Sequence, residues 1–338
     1  MMTLDESTGV AAGDRADDAR AVVVLARQAP SVHNTQPWRW RVDGQVLELR
    51  ADRARQLARS DPSGRNLMIS CGAALHHAVV AAAGLGRSMS VTRFPDPEEP
   101  DLLARIRLGE DIAVTPQATR LMDAISSRRT DRRRFTSWPV PGERLDALAE
   151  AARGCRARVI PLIDADRRSI VERLADRAIE VMSRDRALLA EQKAWIARAD
   201  DEGIPVAALP PRHSSQRRDR FHLERAVTGE GDGAGVTASD QVLAICTARD
   251  DAESWLDTGE TLSALWLHAT LLGLSLVPLS QVIEVPETRA VLREEILAGL
   301  AHPQMLARIG WLQLTRPGLV PTPRRRVADV VEGLPGTG

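Results

Sequence analysis

Cysteine is scarce in this chain, with three in 338 residues, Cys71, Cys155 and Cys246. So odd and scattered a set excludes a disulfide framework and a paired-cysteine metal site, and it suits a reducing cytoplasm. Lysine is scarcer still: it occurs once, at Lys193, and arginine makes up the rest of the 45 basic residues. Such a bias reads first as a GC-rich genome, so a single arginine carries little information. Net charge is also missing. With 46 acidic residues against 45 basic ones the formal charge is −1, and no bulk field draws the chain to nucleic acid or anionic lipid. An anion site, if there is one, is local. The first 18 residues lack a basic segment followed by an apolar stretch, so no secretory signal is expected. No glycine-rich phosphate loop, metal-ligand spacing or readable Ser-His-Asp set is present either, so no metal and no catalytic side chain is assigned.

What is there is a core: 43% of the residues are hydrophobic, which excludes disorder of the whole chain. The charge-free segment Thr261 to Ile283 is long enough to span a membrane. Its His268, Gly273 and Pro278 argue instead for a buried helix feeding a strand. Periodicity and breakers predict a helix from about Arg15 to Gln28, stopped by Pro30. A hairpin about Asp43-Gly44, an apolar helix from Asn66 to Ala83, and strands near Met89 to Phe94 and Leu102 to Leu108 follow. Helices are expected over Thr115 to Arg129 and Pro141 to Arg153. In the second half, a strand at Val242 to Thr247, a helix from about Ala252 to Leu272 and a strand at Leu276 to Leu279 repeat the same grammar.

Setting Ala83-Gly84-Leu85-Gly86 over Leu272-Gly273-Leu274-Ser275 aligns two charge-poor helices that end in a Gly-Leu turn. Helices apolar on all sides must be buried, and two of them suggest either two equivalent halves about a pseudo-twofold axis or simply the two core helices of one large domain. The stretch from about Ala190 to Gly235, rich in proline and closing with four glycines, reads as a lid-like insertion or a disordered loop.

Three segments could carry chemistry. Pro30-Ser-Val-His-Asn-Thr-Gln-Pro-Trp38 places Ser31, Asn34 and Gln36 between stiffening prolines, where they can face a planar partner. The same residues also suit a helix stop with an Asx turn. His33 would contact a ligand or cap the turn. Ser126 to Phe135 holds five arginines and Thr130 at a helix end, which makes either a phosphate cradle or a solvated basic turn. Pro321 to Val330, with three consecutive arginines, converges on the same anion or forms a charged tail.

Taken together, Pro-Ser-x-x-Asn-x-Gln-Pro-Trp (30–38), Arg-Arg-Thr-Asp-Arg (128–132), Leu-Gly-Leu-x-x-Val-Pro-Leu-Ser-Gln (272–281) and the late Arg-Arg pair resemble the FMN-dependent nitroreductase family, above all its long single-chain Acg members. The resemblance spans about residues 15 to 331. It implies an α+β fold in which two half-domains, 15–114 and 115–331, form an internal pseudo-dimer around buried central helices, after a disordered terminus of residues 1–14. It implies FMN, with the phosphate held by Arg128, Arg129, Thr130, Arg324 and Arg325, and with Arg132 near the N1/O2 edge. Pro30, Ser31, His33, Asn34 and Gln36 would pack on the flavin, and Pro278, Leu279, Ser280 and Gln281 would face N5 and O4. Neither half contains both the arginine turn and the Asn-x-Gln-Pro-Trp loop, so one FMN per chain is expected. The implied activity is NAD(P)H-driven reduction of a nitroaromatic or quinone-like small molecule in the cytoplasm, by a monomeric pseudo-dimer or weak homodimer without nucleic acid or membrane partners. A flavin-sequestering protein with little turnover is the other reading.

Overall fold

The computed structural model describes residues 7–132, 135–162, 164–196, 198, 201–205, 241–311 and 321–332. The first half runs α1 (Ser7–Ala26), β1 (Trp38–Asp43), β2 (Val46–Ala51), α2 (Arg65–Gly84), β3 (Arg87–Arg93) and β4 (Leu102–Asp111). Two helices, α3 (Pro116–Ser127) and α4 (Gly142–Ala151), lead into β5 (Arg158–Pro161). Then come α5 (Ala165–Ser183), α6 (Arg186–Ala194), β6 (Gln241–Thr247), α7 (Ala252–Leu271), β7 (Ser275–Leu279), the short helices α8 (Gln281–Glu284) and α9 (Pro286–Val291), and β8 (His302–Gly310). The one-turn helix α10 (Val327–Val330) and the strand β9 (Val331–Glu332) close the described chain.

The elements form two antiparallel sheets of the same order, β3-β4-β2-β1 and β7-β8-β6-β5. Each is built as a ββαββ unit. Their registers also correspond: Ser90 pairs with Arg107 and Val91 with Ile106 in one sheet, as Val277 pairs with Arg308 and Pro278 with Ala307 in the other. The central helices correspond over their full lengths, at a constant separation of 187 residues (65 to 252, 72 to 259, 86 to 273). Each is capped by a leucine and then a left-handed glycine, Leu85-Gly86 and Leu272-Gly273, with φ of 75° and 72° at the glycines. Such a φ is open to glycine at little steric expense. The fold is thus α+β, with two half-domains fused as an internal pseudo-dimer around buried central helices.

The sequence correspondence that places Gly84 over Gly273 is therefore displaced by two residues. Gly84 is a packing residue still inside α2, where an added Cβ would lie 2.7 Å from the Met122 sulfur. The left-handed cap belongs to Gly86. The helix α1 starts at Ser7, ahead of the start expected at about Arg15.

The halves are unequal in their surroundings. In β1 the side chains at Trp38 and Trp40 are buried while Arg39 and Arg41 are exposed, the alternation of a sheet with one wet face. Its apolar face meets α2 and, through Val22, Val23 and Ala26, α1. The second sheet is covered on both faces. Leu243, Ile245, Ala307 and Ile309 face α7, and Val242, Ala244 and Leu306 face Val171 and Leu174 of α5 with Ile283 and Leu292 beyond β7. The last strand, β9, leaves the second half and adds parallel to β1, with Trp40 opposite Val331. Of the described helices, α2 alone is long and apolar enough to cross a membrane, and 83% of its apolar window is inside the protein. The segment Thr261–Ile283 resolves into the end of α7, a turn, β7 and the start of α8.

Candidate functional site

A cleft holding about 1090 Å³ of space free of protein atoms, its mouth included, opens between the halves. Its apolar wall comes from both central helices, with Ile69 and Ala73 of α2 and Leu262 and Trp266 of α7, together with Val277, Pro278 and Met305. Of the residues singled out in the sequence, Pro30, Ser31, His33, Asn34, Arg128, Thr130, Arg132, Pro278, Ser280, Gln281 and Arg324 line it. Gln36, Arg129, Leu279 and Arg325 do not.

The 31–36 loop is held in a strained shape. His33, Asn34 and Gln36 all have positive φ, 45°, 56° and 49°, a region in which non-glycine residues persist only under strong surrounding constraint. The constraint is visible. The Val32 amide donates to Ser70 Oγ at 3.1 Å and the Gln36 amide to Ser31 Oγ at 2.9 Å. Asn34 Nδ2 donates to the carbonyls of Gly203 (2.9 Å) and Pro323 (3.0 Å), and its Oδ1 accepts from Arg324 Nη1 at 3.0 Å. Gln36 is wholly buried; its Nε2 donates to Asp201 O and its Oε1 accepts from the Arg325 amide, both at 2.9 Å. Both carboxamides are thus engaged by the chain itself, tying the loop to 201–204 and to the C-terminal arm. The expected insertion at about 190–235 opens inside α6, contributes Gln192 and Ile204 to the cleft, and then leaves the described residues after 205.

Each arginine pair divides. Where α3 ends, Arg128 turns inward and is buried, its guanidinium 4.6 Å above the Trp266 ring, and among the described residues its Nε and Nη1 have no hydrogen-bond partner. Arg129 is exposed and donates to Ser126 O and Arg128 O. Arg324 lines the cleft, its Nε without a partner among the described residues, and caps the end of α1 through Gln28 O (3.1 Å). Arg325 instead donates to Gln36 O (3.2 Å) and stands 3.8 Å from Asp52, joining the arm to β1. Among the described residues neither Arg128 nor Arg324 is paired with a carboxylate. Burial and the Arg324 and Arg129 charges lower the Arg128 pKa to about 9; burial and the Arg129 and Arg27 charges lower that of Arg324 to about 10. Burial also lowers Arg132, with Asp131 opposing the shift. His33 falls to about 4 through burial and then Arg132, so at neutral pH its imidazole is uncharged.

The cleft also carries one carboxyl among its described lining residues, which sequence reading passed over. Glu284, at the end of α8, accepts from Asn66 Nδ2 at 2.8 Å. Asn66 lies in the first turn of α2, where two amides donate to Asp61: Asn66 N at 3.1 Å and Leu67 N at 2.9 Å. Burial raises Glu284 to about 7 and Asp61 to about 6. The one sequence sign of Glu284 was its place as the charge that ends the run 261–283.

The pseudo-twofold axis relates Ser280 to Arg93 and Ala73 to Glu260. At that equivalent place Arg93 and Glu260 form a two-pronged ion pair of 2.7 and 2.6 Å, with Asp257 3.9 Å from the same guanidinium. Where the cleft has Ser280 and Ala73, the equivalent place thus carries a salt bridge.

Fold and cleft define a duplicated α+β protein whose halves meet at a cleft bearing the buried guanidiniums of Arg128 and Arg324. The chain is 38% identical over 322 residues to a Mycobacterium tuberculosis protein named "Putative NAD(P)H nitroreductase Rv3131", covering 94% of this chain and 92% of that one. It is 32% identical over 322 residues to "Putative NAD(P)H nitroreductase acg" of the same species, covering 93% and 95%. The chain belongs to this family of NAD(P)H nitroreductases. No family model matches it. Among solved structures, the FMN-dependent nitroreductase NfnB from Mycobacterium smegmatis in complex with NADPH aligns at 17% identity and a TM-score of 0.41, over 63% of this chain and 97% of its own. A BluB-like flavoprotein from Clostridium difficile aligns at 15% and 0.40, over 62% and 96%.

Proposed function

We propose that the cleft binds one FMN per chain and that the protein uses NAD(P)H to reduce a small nitroaromatic or quinone-like acceptor. The observation that carries this reading is the pair Arg128 and Arg324, two guanidiniums in one cleft that, among the described residues, leave Arg128 Nε and Nη1 and Arg324 Nε without a partner and meet no carboxylate. Leaving buried donors and like charges in this state is costly, and a phosphate dianion relieves both penalties through charge-assisted hydrogen bonds. The apolar wall of Ile69, Ala73, Leu262 and Trp266 suits a planar ring beside it. Thr130 adds a hydroxyl to the basic part of the cleft.

When bound, FMN supplies the hydride chemistry; the side chains bind, orient and exclude water. Arg132 and neutral His33 are the polar groups through which the protein would influence the ring's charge. The strained 31–36 loop contributes shape: its amides hold the loop against the arm and the 201–204 segment, and Pro30 and Ser31 are left facing the cleft. The Arg93–Glu260 ion pair at the equivalent place supports one ligand per chain. Residues 15–114 and 115–331 form the two half-domains in this reading, with the 321–332 arm crossing back to the first. A monomeric pseudo-dimer fits a fold whose two-helix interface is internal, and a weak homodimer is the other state to look for. Buried free thiols at Cys71 and Cys246 and near-zero net charge accord with a cytoplasmic protein of small-molecule partners.

The test is purification with the native cofactor, a flavin-to-protein ratio, and anaerobic addition of NADH, NADPH and dithionite. A yellow protein with one FMN per chain, reduced by a pyridine nucleotide, supports the reading. Reduction by dithionite alone favours sequestration of the flavin over turnover. A protein that stays colourless after soaking in FMN and desalting overturns both.

A further inference from the structure

We propose that Glu284 is the proton donor of the cleft, giving up its carboxyl proton to the acceptor as that acceptor is reduced. This rests on the reading of the cleft as a flavin reductase site. Two-electron reduction of a quinone needs one hydride and one proton. When bound, reduced FMN would supply the hydride, with both electrons, to one carbonyl oxygen. The O–H bond of Glu284 breaks as the second oxygen gains its hydrogen, and water entering from the mouth reprotonates the carboxylate.

The residue inventory singles out this side chain. Among the described residues that line the cleft, Glu284 is the one carboxylic acid, and none is lysine, cysteine or tyrosine. The guanidiniums of Arg128, Arg132 and Arg324 do not release protons near neutrality, and the serine and threonine hydroxyls are weaker acids still. His33, pushed down to about 4, is already deprotonated.

Burial keeps a proton on Glu284, against hydrogen bonds from the Ser280 hydroxyl and the Asn66 carboxamide (2.8 Å), neutral donors that favour the carboxylate but carry no charge to hold it. The charged groups acting on it are Asp61, before α2, which opposes ionisation, and Arg65, in the first turn of α2. Arg65 is shared with Asp250, 3.4 Å away on the loop after β6. From α5 the residue that reaches the cleft is Met182, which has no charge. The carboxyl therefore titrates near 7, where a general acid is best matched to its task.

The experiment compares wild type with Glu284→Gln, which retains an oxygen for Asn66 Nδ2. Both are loaded with FMN and reduced with dithionite, and reoxidation by a benzoquinone is followed by stopped flow across pH. The wild-type rate is expected to fall as pH rises through about 7, and the variant to be about 100-fold slower with that step in the profile gone. Infrared difference spectra of flavin-free wild type supply a second readout: a protonated carboxyl band near neutral pH that disappears at higher pH and is absent from the variant. A wild type that is coloured while the variant reoxidises at the same rate with the same profile overturns the proposal alone. So does a wild type with no carboxyl titrating near neutrality, which needs no folded variant. A wild type that cannot take up FMN overturns the flavin reading and this proposal together.

Discussion

Gly72 of α2 and Gly259 of α7 face each other where the central helices cross. A Cβ on Gly72 would sit 2.0 Å from the Leu256 carbonyl oxygen and 3.0 Å from the Gly259 Cα. A Cβ on Gly259 would sit 2.0 Å from the Ile69 carbonyl oxygen and 2.8 Å from the Gly72 Cα. The contact is self-complementary, as a twofold interface requires, though one chain supplies both sides.

That reciprocity makes the first prediction. Glycine to alanine inside a helix ordinarily gains up to about 1 kcal/mol. At Gly72 or Gly259 the new methyl meets main chain that has no rotamer to yield, so the helices must separate. Overpacking of this kind destabilises by about 1–3 kcal/mol or more, which exceeds the gain. Urea denaturation of Gly259→Ala should show lower stability than wild type, and a stabilised variant would contradict the crossing described here.

The division of the arginines gives a second prediction. Arg128→Met keeps the stem over Trp266 and removes a charge that Arg324 repels, so the flavin-free protein should be as stable as wild type or more stable. Its affinity for FMN should fall by the about 1.5–3 kcal/mol of a charge-assisted hydrogen bond, while affinity for riboflavin, which lacks the phosphate, should hardly change. Arg129→Ala, at an exposed position, should alter neither. Equal losses for the two ligands in Arg128→Met would remove the phosphate assignment.

Much of this architecture could be read in advance because its elements announce themselves. Breakers at Pro30 and Gly86, the Asp43-Gly44 turn and the charge-free faces of α2 and α7 follow from local chemistry. What escaped depends on burial. In β8 every side chain after His302 is buried, so no polar alternation marks a strand, and Pro303 and Arg308 argue against one. Arg308 is there because it stacks 4.4 Å from the Phe135 ring, a partner far away in sequence. Glu284 escaped for a related reason: its role depends on Asn66, 218 positions earlier. The arginine runs were found as runs, but which member of each pair turns inward is set by helix ends and neighbours that composition does not express.

Asn34 joins three segments, and its removal should loosen all of them. Asn34→Gly tolerates the φ of 56° and deletes only the side-chain bonds to Gly203, Pro323 and Arg324. Losing them should destabilise by about 1–3 kcal/mol and raise hydrogen exchange at the Gly203 and Arg325 amides, which bond to Asn34 O and Gln36 Oε1. Asn34→Asp should be worse, since it turns a carboxylate oxygen toward two carbonyls. Unaltered exchange at both amides in Asn34→Gly would show that the knot is not held by this residue.

Glu284 also sets a pH dependence of stability, and its sign follows from the direction of the shift. Burial raises this carboxyl from 4.5 to about 7, so the folded state binds the proton more tightly than the unfolded one. The stabilising contribution is complete below 4.5 and is lost as pH rises through about 7. Glu284→Gln carries no titrating proton, so the wild type should lose stability relative to the variant on going from pH about 5 to about 8, by on the order of 1–3 kcal/mol. Asp61, raised to about 6, titrates in both proteins and cancels to first order. Urea unfolding of the flavin-free proteins at constant ionic strength measures the difference. A gap between wild type and variant that stays constant over this range would mean that Glu284 is ionised in the folded cleft and has no proton to give.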